Sequence, residues 1–207
     1  MQKIKSSLPN MVGVLVGFSL LIGVILASVN QITEGPIKIK QEQTLAAGIK
    51  TVMQCQQINV AAPLEVTDTI DGKLSSFVIH ACAGATGERL GAAVESSTNA
   101  FGGELKVLVG FDTNGHILGY TILASSETPG LGAKVDQWFQ KDGKGNIIGK
   151  NPKGGSLTVS KDGGDVDAIT ASTITSRAFL KAINHAYRAY MKIDWAHEKV
   201  CFEPTNL

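Results

Sequence analysis

The sequence predicts an α+β fold, with one N-terminal transmembrane helix followed by a single soluble domain of antiparallel hairpins and flanking helices. Three observations lead to this prediction. An uncharged apolar run occupies residues 11–29, two β-rich runs flank Asn114-Gly115 within residues 105–123, and an amphipathic helical pattern begins at Thr173. A group of strands with helices at both ends, and not between the strands, is typical of the α+β class.

The apolar run MVGVLVGFSLLIGVILASV has 19 residues and no charge. At about 1.5 Å per residue it spans roughly the 30 Å hydrocarbon core of a bilayer. A cleaved signal peptide is the alternative, because Lys3 and Lys5 precede the run. However, the run exceeds the roughly 7 to 15 apolar residues of a signal peptide, and no A-x-A pattern precedes a polar stretch. We therefore predict a retained single-pass anchor.

The positive charges of Lys3, Lys5 and the amino terminus favour a cytoplasmic N-terminus. The predicted organisation is a cytoplasmic segment (1–10), a transmembrane helix (11–29), a juxtamembrane helix and linker (30–54) and an extracytoplasmic domain (55–207). The protein would lie in the inner (cytoplasmic) membrane, in contact with lipid. Charge is nearly balanced, with 19 Lys and Arg against 18 Asp and Glu, and does not favour nucleic acid as a partner.

The soluble part begins with IKIKQEQTLAAGIKTVM, whose apolar residues have near-helical spacing after Pro36. Residues 75–82 and 89–96 predict two strands, and residues 105–123 predict a hairpin, since Asn-Gly accepts the positive φ angles of a tight turn. A Gly- and Lys-rich loop (141–155) precedes one more predicted strand, residues 156–160. The last helix should pack through one stripe, formed by Ile174, Ala178, Phe179, Ala182, Ile183, Ala186, Tyr187, Tyr190 and Met191.

The three cysteines, Cys55, Cys82 and Cys201, form no CxxC pair and have no His at metal-ligand spacing, so we predict no metal site. In an oxidising compartment one pair can form a disulfide, and the sequence leaves the pairing open. The four His have no recognisable motif partner that would activate a Ser or Thr, and GKNPKGGS lacks phosphate-loop spacing. We predict no catalytic residue.

Hydroxyl side chains cluster just ahead of the last helix. Thr170 or Ser172 can serve as its N-cap, which is worth about 0.5–2 kcal/mol. The first turn of a helix also has free backbone N–H groups and the positive end of the helix dipole, which together favour a phosphate. A phosphoester on Thr173 would lie there, with Arg177 one turn along as a possible counter-charge.

Two motifs carry a resemblance to a known family. DAITASTITS resembles the flavinylation motif, roughly D-G-x-[ST]-G-A-[ST], of the FMN-binding domain in the G subunit of the Rnf electron-transport complex. The same domain occurs in the C subunit of the sodium-pumping NADH:quinone oxidoreductase. FGGELKVLVGFDTNGHILGYTILASSETPGLG is similar to the family's strand-hairpin-loop block, which ends in E-T-P-G-L-G. With the apolar span and TEGPI after it, the resemblance covers nearly the whole chain.

The resemblance implies FMN attached through its phosphate to Thr173 by a flavin transferase outside the cytoplasm. It also implies a cofactor site around the acceptor and the second motif, made of Glu127, Thr128, Pro129, Gly130, Leu131, Gly132, Asp167, Thr170, Ala171, Ser172, Thr175 and Arg177. This chain departs from the motif at Ala168, and at Ala171-Ser172 where the family has Gly-Ala. A positive φ angle is less easy for Ala171 than for glycine.

The implied function is that of a membrane-anchored electron carrier within an Rnf-type ion-translocating ferredoxin:NAD oxidoreductase. Its partners would be membrane subunits carrying flavin and iron-sulfur centres. The flavin supplies the redox chemistry, while the protein positions it, excludes solvent and controls its potential.

The sequence leaves two alternatives open and argues against a third. One is a C-type subunit of the sodium-pumping NADH:quinone oxidoreductase. Another is an assembly or binding ectodomain whose altered motif accepts no FMN. A third is a stand-alone flavin-dependent reductase, for which the chain leaves no room for a fused catalytic domain.

A second G-A-T sequence ends at Thr86, but His80 stands where the motif needs Asp, and Gly87 and Glu88 indicate a turn.

Overall fold

The structure is a computed structural model that describes residues 8–55, 58–70, 72–84 and 86–193. Lys3, Lys5 and Cys201 lie outside these ranges. The helices are α1 (Leu8–Val52), α2 (Val135–Trp138) and α3 (Thr173–Lys192). The strands are β1 (Asn59–Val60), β2 (Leu64–Ile70), β3 (Lys73–Ala83), β4 (Arg89–Asn99), β5 (Glu104–Asp112) and β6 (Ile117–Ser125). Single 3-10 turns occupy Gly132–Lys134, Pro152–Gly154 and Ser160–Asp162. The predicted α+β class is confirmed.

The chain forms two compact units, Met1–Thr44 and Leu45–Leu207. In the first, α1 is the one helix among the described residues that is long and apolar enough to cross a membrane. The predicted anchor and juxtamembrane helix are parts of this single helix, which continues through Pro36. Proline cannot donate the backbone hydrogen bond of its turn, yet α1 does not end at Pro36.

The second unit is built on a sheet with the order β1-β3-β4-β5-β6, in which β2 also pairs with β3. Every strand pair that these elements form is antiparallel. The predicted β5–β6 hairpin is present, and Gly115 in its turn has φ +85°. The Asp112 carboxylate accepts hydrogen bonds from the backbone N–H groups of Asn114 and His116, at 2.8 Å each, and so fixes the turn.

Both faces of the sheet are covered. In β4, residues 91–96 are buried without interruption, as expected only when alternate side chains meet a layer on each side. One face carries the main core, where α3 packs through residues that include Phe179 and Ile183. The other face carries a smaller cluster that contains Ile49 and Val52 from the last turns of α1.

The end of α1 approaches β5 and β6 at two glycines. A Cβ atom added to Gly110 would lie 2.6 Å from the carbonyl oxygen of Val52, and one added to Gly119 would lie 3.0 Å from it. Real Cβ atoms essentially never come so close to a backbone oxygen as 2.6 Å. The helix end can therefore lie directly on the hairpin backbone because both strands have glycine there.

A buried ionic network lies between β3, β4 and β5. The Glu95 carboxylate accepts from Lys106 Nζ at 2.6 Å and lies 2.8 Å from His80 Nε2. Burial acts to raise the pKa of Glu95, but the hydrogen bonds from His80 and Lys106 outweigh it and hold that pKa below its usual range.

Two details of the predicted core are wrong. Residues 156–160 do not form a strand, because Leu157 exchanges both backbone hydrogen bonds, at 2.9 Å each, with the Asn184 side-chain amide on α3. Only Val159 makes an isolated β-bridge. In the α3 stripe, Ile174 and Met191 are 57% and 53% exposed, since the packed face lies between the helix ends, while the other predicted members are buried.

Candidate functional site

A cleft of about 320 Å³ opens between the E-T-P-G-L-G loop and the first turn of α3. Its lining joins the two motifs, which are about 40 residues apart in the sequence. The lining residues are Phe101, Glu127, Thr128, Leu131, Gly132, Ala171, Ser172, Thr173, Ile174 and Thr175. The fold thus brings together eight of the thirteen predicted site residues.

The E-T-P-G-L-G loop turns tightly and sends its glutamate inward. The carbonyl oxygen of Thr128 accepts from the N–H of Leu131 at 3.2 Å, and Gly130 has φ +78°, which favours glycine. Gly132 serves a different purpose, because a Cβ there would lie 2.2 Å from Glu127 Oε2. The loop needs one glycine for its turn and another to make room for the glutamate.

A chain of hydrogen bonds, of which the central Thr175–Glu127 bond is buried, joins this loop to α3. Ser172 Oγ lies 3.1 Å from Thr175 Oγ1, which donates to Glu127 Oε1 at 3.0 Å. The same Glu127 oxygen accepts from the N–H of Gly102 at 3.2 Å. Thr175 is fully buried and Glu127 is 9% exposed, so the bond between these two side chains is shielded from water. The two walls of the cleft are therefore fixed relative to each other.

The predicted capping of α3 by Thr170 or Ser172 is right for the position of Ser172 but wrong for the side-chain hydrogen bond. Ser172 occupies the N-cap position, but its side chain makes no capping hydrogen bond within the described part of the chain. Its hydroxyl is directed to the side chain of Thr175 instead. The first N–H groups of a helix have no partner inside the helix, so the start of α3 offers donors to a ligand.

Ala171 has φ +62°, in the left-handed region that L-residues other than glycine rarely adopt. This is the position at which the resembling motif has glycine. Ala171 thus adopts a positive φ angle, which is less favourable for alanine than for glycine. The strain at this residue is about 1–2 kcal/mol.

Thr173 is half-buried at the first position of α3. Its Oγ1 accepts a hydrogen bond from Lys161 Nζ at 3.3 Å. Sequence reasoning missed Lys161, because the lysine lies 12 residues upstream in a Gly-rich stretch and only the fold brings it to the helix start.

Arg177, predicted as the counter-charge, is engaged elsewhere. Its Nε and Nη2 atoms bind the two carboxylate oxygens of Asp162 at 2.7 and 2.6 Å. The hydrogen bond from Arg177 lowers the pKa of Asp162 below its usual range. Arg177 does not line the cleft.

Four other predicted residues also lie outside the lining of the cleft: Pro129, Gly130, Asp167 and Thr170. Asp167 holds the loop ahead of α3 in place. Its carboxylate accepts from Ser160 Oγ at 3.2 Å, and its carbonyl oxygen accepts from Trp138 Nε1 at 2.8 Å. Through these two contacts, Asp167 stabilises the loop of residues 167–172 that leads into α3.

Three apolar side chains at the cleft are exposed to solvent: Phe101 by 71%, Ile174 by 57% and Leu131 by 44%. Sequence reasoning identified only Leu131. The available signal for Phe101 was a large aromatic residue next to two glycines, where nothing local can cover it. Exposed apolar groups that converge on one cleft are typical of a binding site.

The lining fits FMN chemically. The exposed Phe101, Leu131 and Ile174 offer contacts to a flat aromatic ring, and the open start of α3 offers N–H donors to a phosphate. No group of three or more His, Cys, Asp or Glu that could hold a metal occurs among the described residues.

The threonine and the cysteines that the sequence also raised as candidates lack the features of this cleft. Thr86 lies exposed in the turn between β3 and β4, away from any helix start. Within the described ranges Cys55 and Cys82 form no disulfide, and burial raises the pKa of Cys82 to about 12. A thiol with so high a pKa is poorly reactive.

Comparison with known proteins gives consistent similarities. Residues 101–188 match the model of the FMN-binding domain. The chain is 31% identical to the G subunit of the ion-translocating oxidoreductase complex of Shewanella oneidensis, over 82% of each chain. It is 30% identical to the corresponding G subunit from Vibrio parahaemolyticus, over 88% of this chain and 87% of the relative.

A third relative is the G subunit of the Na(+)-translocating ferredoxin:NAD(+) oxidoreductase complex of Acetobacterium woodii, with 31% identity over 81% of this chain and 84% of that one. Among solved structures, NqrC of Shewanella oneidensis matches with a TM-score of 0.57 and 15% identity. The match covers 72% of this chain and 93% of the NqrC chain. At this identity the structural match supports the fold.

Proposed function

This chain belongs to the family of G subunits of ion-translocating oxidoreductase complexes, and on that premise we propose that it carries electrons on an FMN joined through its phosphate to Thr173. The family membership and the match to the FMN-binding domain support the first part of this function, an electron-carrier subunit that binds FMN. The covalent bond and its position are the further steps of the proposal.

One observation carries the proposal: the cleft unites Thr173, at the open start of α3, with the E-T-P-G-L-G loop. A phosphate on Thr173 Oγ1 would lie beside backbone N–H groups that the Ser172 side chain leaves uncapped. From there the cleft leads toward Leu131 and Phe101, whose apolar surfaces suit a ring system.

The attachment is a phosphoryl transfer. A Thr173 Oγ1–P bond forms while the phosphoanhydride bond of an activated flavin donor breaks. The other half of the donor leaves as a phosphate monoester, and the Thr173 hydroxyl proton goes to a base or to solvent. We assign this step to a flavin transferase that acts outside the cytoplasm. No oxidation or reduction accompanies it.

When bound, FMN supplies one-electron and two-electron redox chemistry. The chain's own residues hold it in place. Glu127, Thr175 and Ser172 fix the two walls of the cleft through a chain of hydrogen bonds. Leu131 and Phe101 provide apolar surface that excludes water from one side of a bound ring.

The proposed setting is the inner membrane, with α1 as the single-pass anchor and the domain on the extracytoplasmic side. The apolar character of α1 and the names of the relatives, which are subunits of ion-translocating complexes, support the membrane anchor. The positive charges of Lys3 and Lys5 ahead of the apolar run support the extracytoplasmic side. The proposed partners are membrane subunits that carry flavin and iron-sulfur centres. Among the described residues the chain has no cluster that could ligate such a metal centre itself.

The test is to produce the full chain together with a flavin transferase and to examine it on a denaturing gel. The wild type should give a fluorescent band that survives denaturation, and Thr173→Ala should abolish it. Thr170→Ala and Thr86→Ala are matched controls, since both remove an exposed threonine hydroxyl, and both should remain fluorescent.

Peptide mass measurement then locates the flavin. A mass increase on the peptide containing Thr173 supports the proposal, and an increase on the peptide containing Thr86 would move the site. An unmodified wild-type chain from cells with an active transferase would instead indicate an assembly or binding ectodomain.

A further inference from the structure

The acceptor threonine has a cationic neighbour that the flavinylation motif does not contain. Lys161 Nζ donates to Thr173 Oγ1 at 3.3 Å. Lys161 belongs to the 3-10 turn Ser160–Asp162, not to the motif that begins at Asp167. The ammonium group therefore lies beside the atom that would carry a phosphate.

The turn that bears Lys161 is held against the start of α3 on both sides. Asp162 binds Arg177 through two hydrogen bonds of 2.7 and 2.6 Å. Ser160 donates from its hydroxyl to Asp167 at 3.2 Å and from its backbone N–H to the carbonyl oxygen of Val166 at 2.8 Å. These contacts place the Lys161 backbone near Thr173 independently of the conformation of the lysine side chain.

The same arrangement gives the two cations different roles. The guanidinium of Arg177 already has a bidentate carboxylate partner, and a new phosphate would have to compete with it. The partner of Lys161 is the neutral hydroxyl of Thr173. An anionic phosphate oxygen in its place would make a stronger hydrogen bond to the ammonium group.

We propose that Lys161 binds the phosphoester on Thr173 and, together with the open start of α3, holds the phosphate in one orientation. This inference rests on the proposed function, because it needs a phosphate at Thr173. Lys161 acts as a positioning residue: it forms an ion pair with a phosphate oxygen and takes no part in electron transfer. The Arg177–Asp162 ion pair contributes indirectly, because it fixes the 3-10 turn that carries Lys161.

The experiment uses the flavinylated full chain, with extended incubation so that each variant is fully modified. The ³¹P NMR signal of the covalent phosphate is compared in the wild type, Lys161→Gln, Lys161→Arg and Lys153→Gln. Lys153 is an exposed lysine on another 3-10 turn, outside the cleft, and gives a control with the same loss of charge.

Lys161→Gln should shift the phosphorus signal by more than its linewidth and lower the fluorescence anisotropy of the flavin, because the tether gains freedom. Lys161→Arg should restore both values, and Lys153→Gln should leave them unchanged. Raising the salt from about 0.1 to 1 M shortens the screening length from about 10 to 3 Å. It should move the wild-type signal toward that of Lys161→Gln.

Two failures are distinguishable. If the wild type carries no flavin on Thr173, the proposed function fails. If all variants are flavinylated on Thr173 but Lys161→Gln gives the wild-type ³¹P signal and anisotropy, the role of Lys161 is overturned while the proposed function stands.

Discussion

Ala171→Gly should make the protein more stable, although it removes a methyl group. Ala171 has φ +62°, and its side chain is exposed. Glycine adopts this backbone conformation without the clash between Cβ and the following carbonyl oxygen. The substitution therefore removes strain at a position where there is little packing to lose.

Two opposing terms set the magnitude. Relief of the left-handed conformation at Ala171 is worth about 1–2 kcal/mol. The greater freedom of glycine in the unfolded chain costs about 0.4–1 kcal/mol. The centres of the two ranges give a net stabilisation of about 0.8 kcal/mol, which in a protein of this size raises Tm by roughly 2–3 °C.

The assay is thermal unfolding of the full chain in detergent micelles, followed by near-UV circular dichroism, which reports on the packed domain. Ala168→Gly is the matched control. It makes the same change three residues earlier, where the backbone has no positive φ and the half-buried methyl packs against the main core. It should destabilise by about 1 kcal/mol, from chain entropy and lost burial.

The two substitutions should thus have opposite signs. If Ala171→Gly lowers Tm as much as Ala168→Gly does, the strain assigned to Ala171 is absent and the reasoning fails. Because Ala171 already adopts the conformation that glycine favours, the extent of flavin incorporation should be the same in Ala171→Gly and the wild type.

Three further predictions concern stability. Glu127→Ala should cost about 1–3 kcal/mol, because it removes the acceptor of the buried Thr175 hydroxyl proton and of the Gly102 N–H. In chemical denaturation Glu127→Gln should lose much less stability, since its amide oxygen can accept both bonds. Gly110→Ala should cost about 1–3 kcal/mol, because its Cβ would lie 2.6 Å from the Val52 carbonyl oxygen; Gly154→Ala, with no atom within 4 Å, is the control, and equal Tm values for both would contradict the close approach. The lowered pKa of Glu95 means that its stabilisation is complete above its unfolded pKa of about 4.3 and is lost as the pH falls through the folded value. Stability measured from pH 6 to 3 should therefore fall less steeply in Glu95→Gln, and an unchanged slope would exclude this contribution.

Much of the fold could be predicted from local sequence. The Asn114-Gly115 turn, the strands on both sides of it and the final helix all have patterns that neighbouring residues determine. The strand predicted at residues 156–160 failed because Asn184, 27 residues away, takes the backbone hydrogen bonds of Leu157. A sequence pattern cannot indicate such a partner.

The candidate site was predictable to a similar extent. The two motifs identified Glu127 and Thr173, and the cleft unites them. Lys161 was missed because its proximity to Thr173 depends on a turn stabilised by tertiary contacts. The capping assigned to Ser172 was wrong because its hydroxyl has a side-chain competitor in Thr175.

The hydrogen-bonded chain from Ser172 through Thr175 to Glu127 has a consequence for the speed of an electron carrier. A carrier changes its charge whenever it is loaded or unloaded, and polar groups that are free to rotate must then reorient. The side chains of Thr175 and Glu127 at this cleft are buried and hydrogen-bonded to each other. Dipoles fixed in this way reorganise little when a nearby charge changes. The cleft wall would thus contribute a small reorganisation energy, and distance and driving force would set the transfer rate.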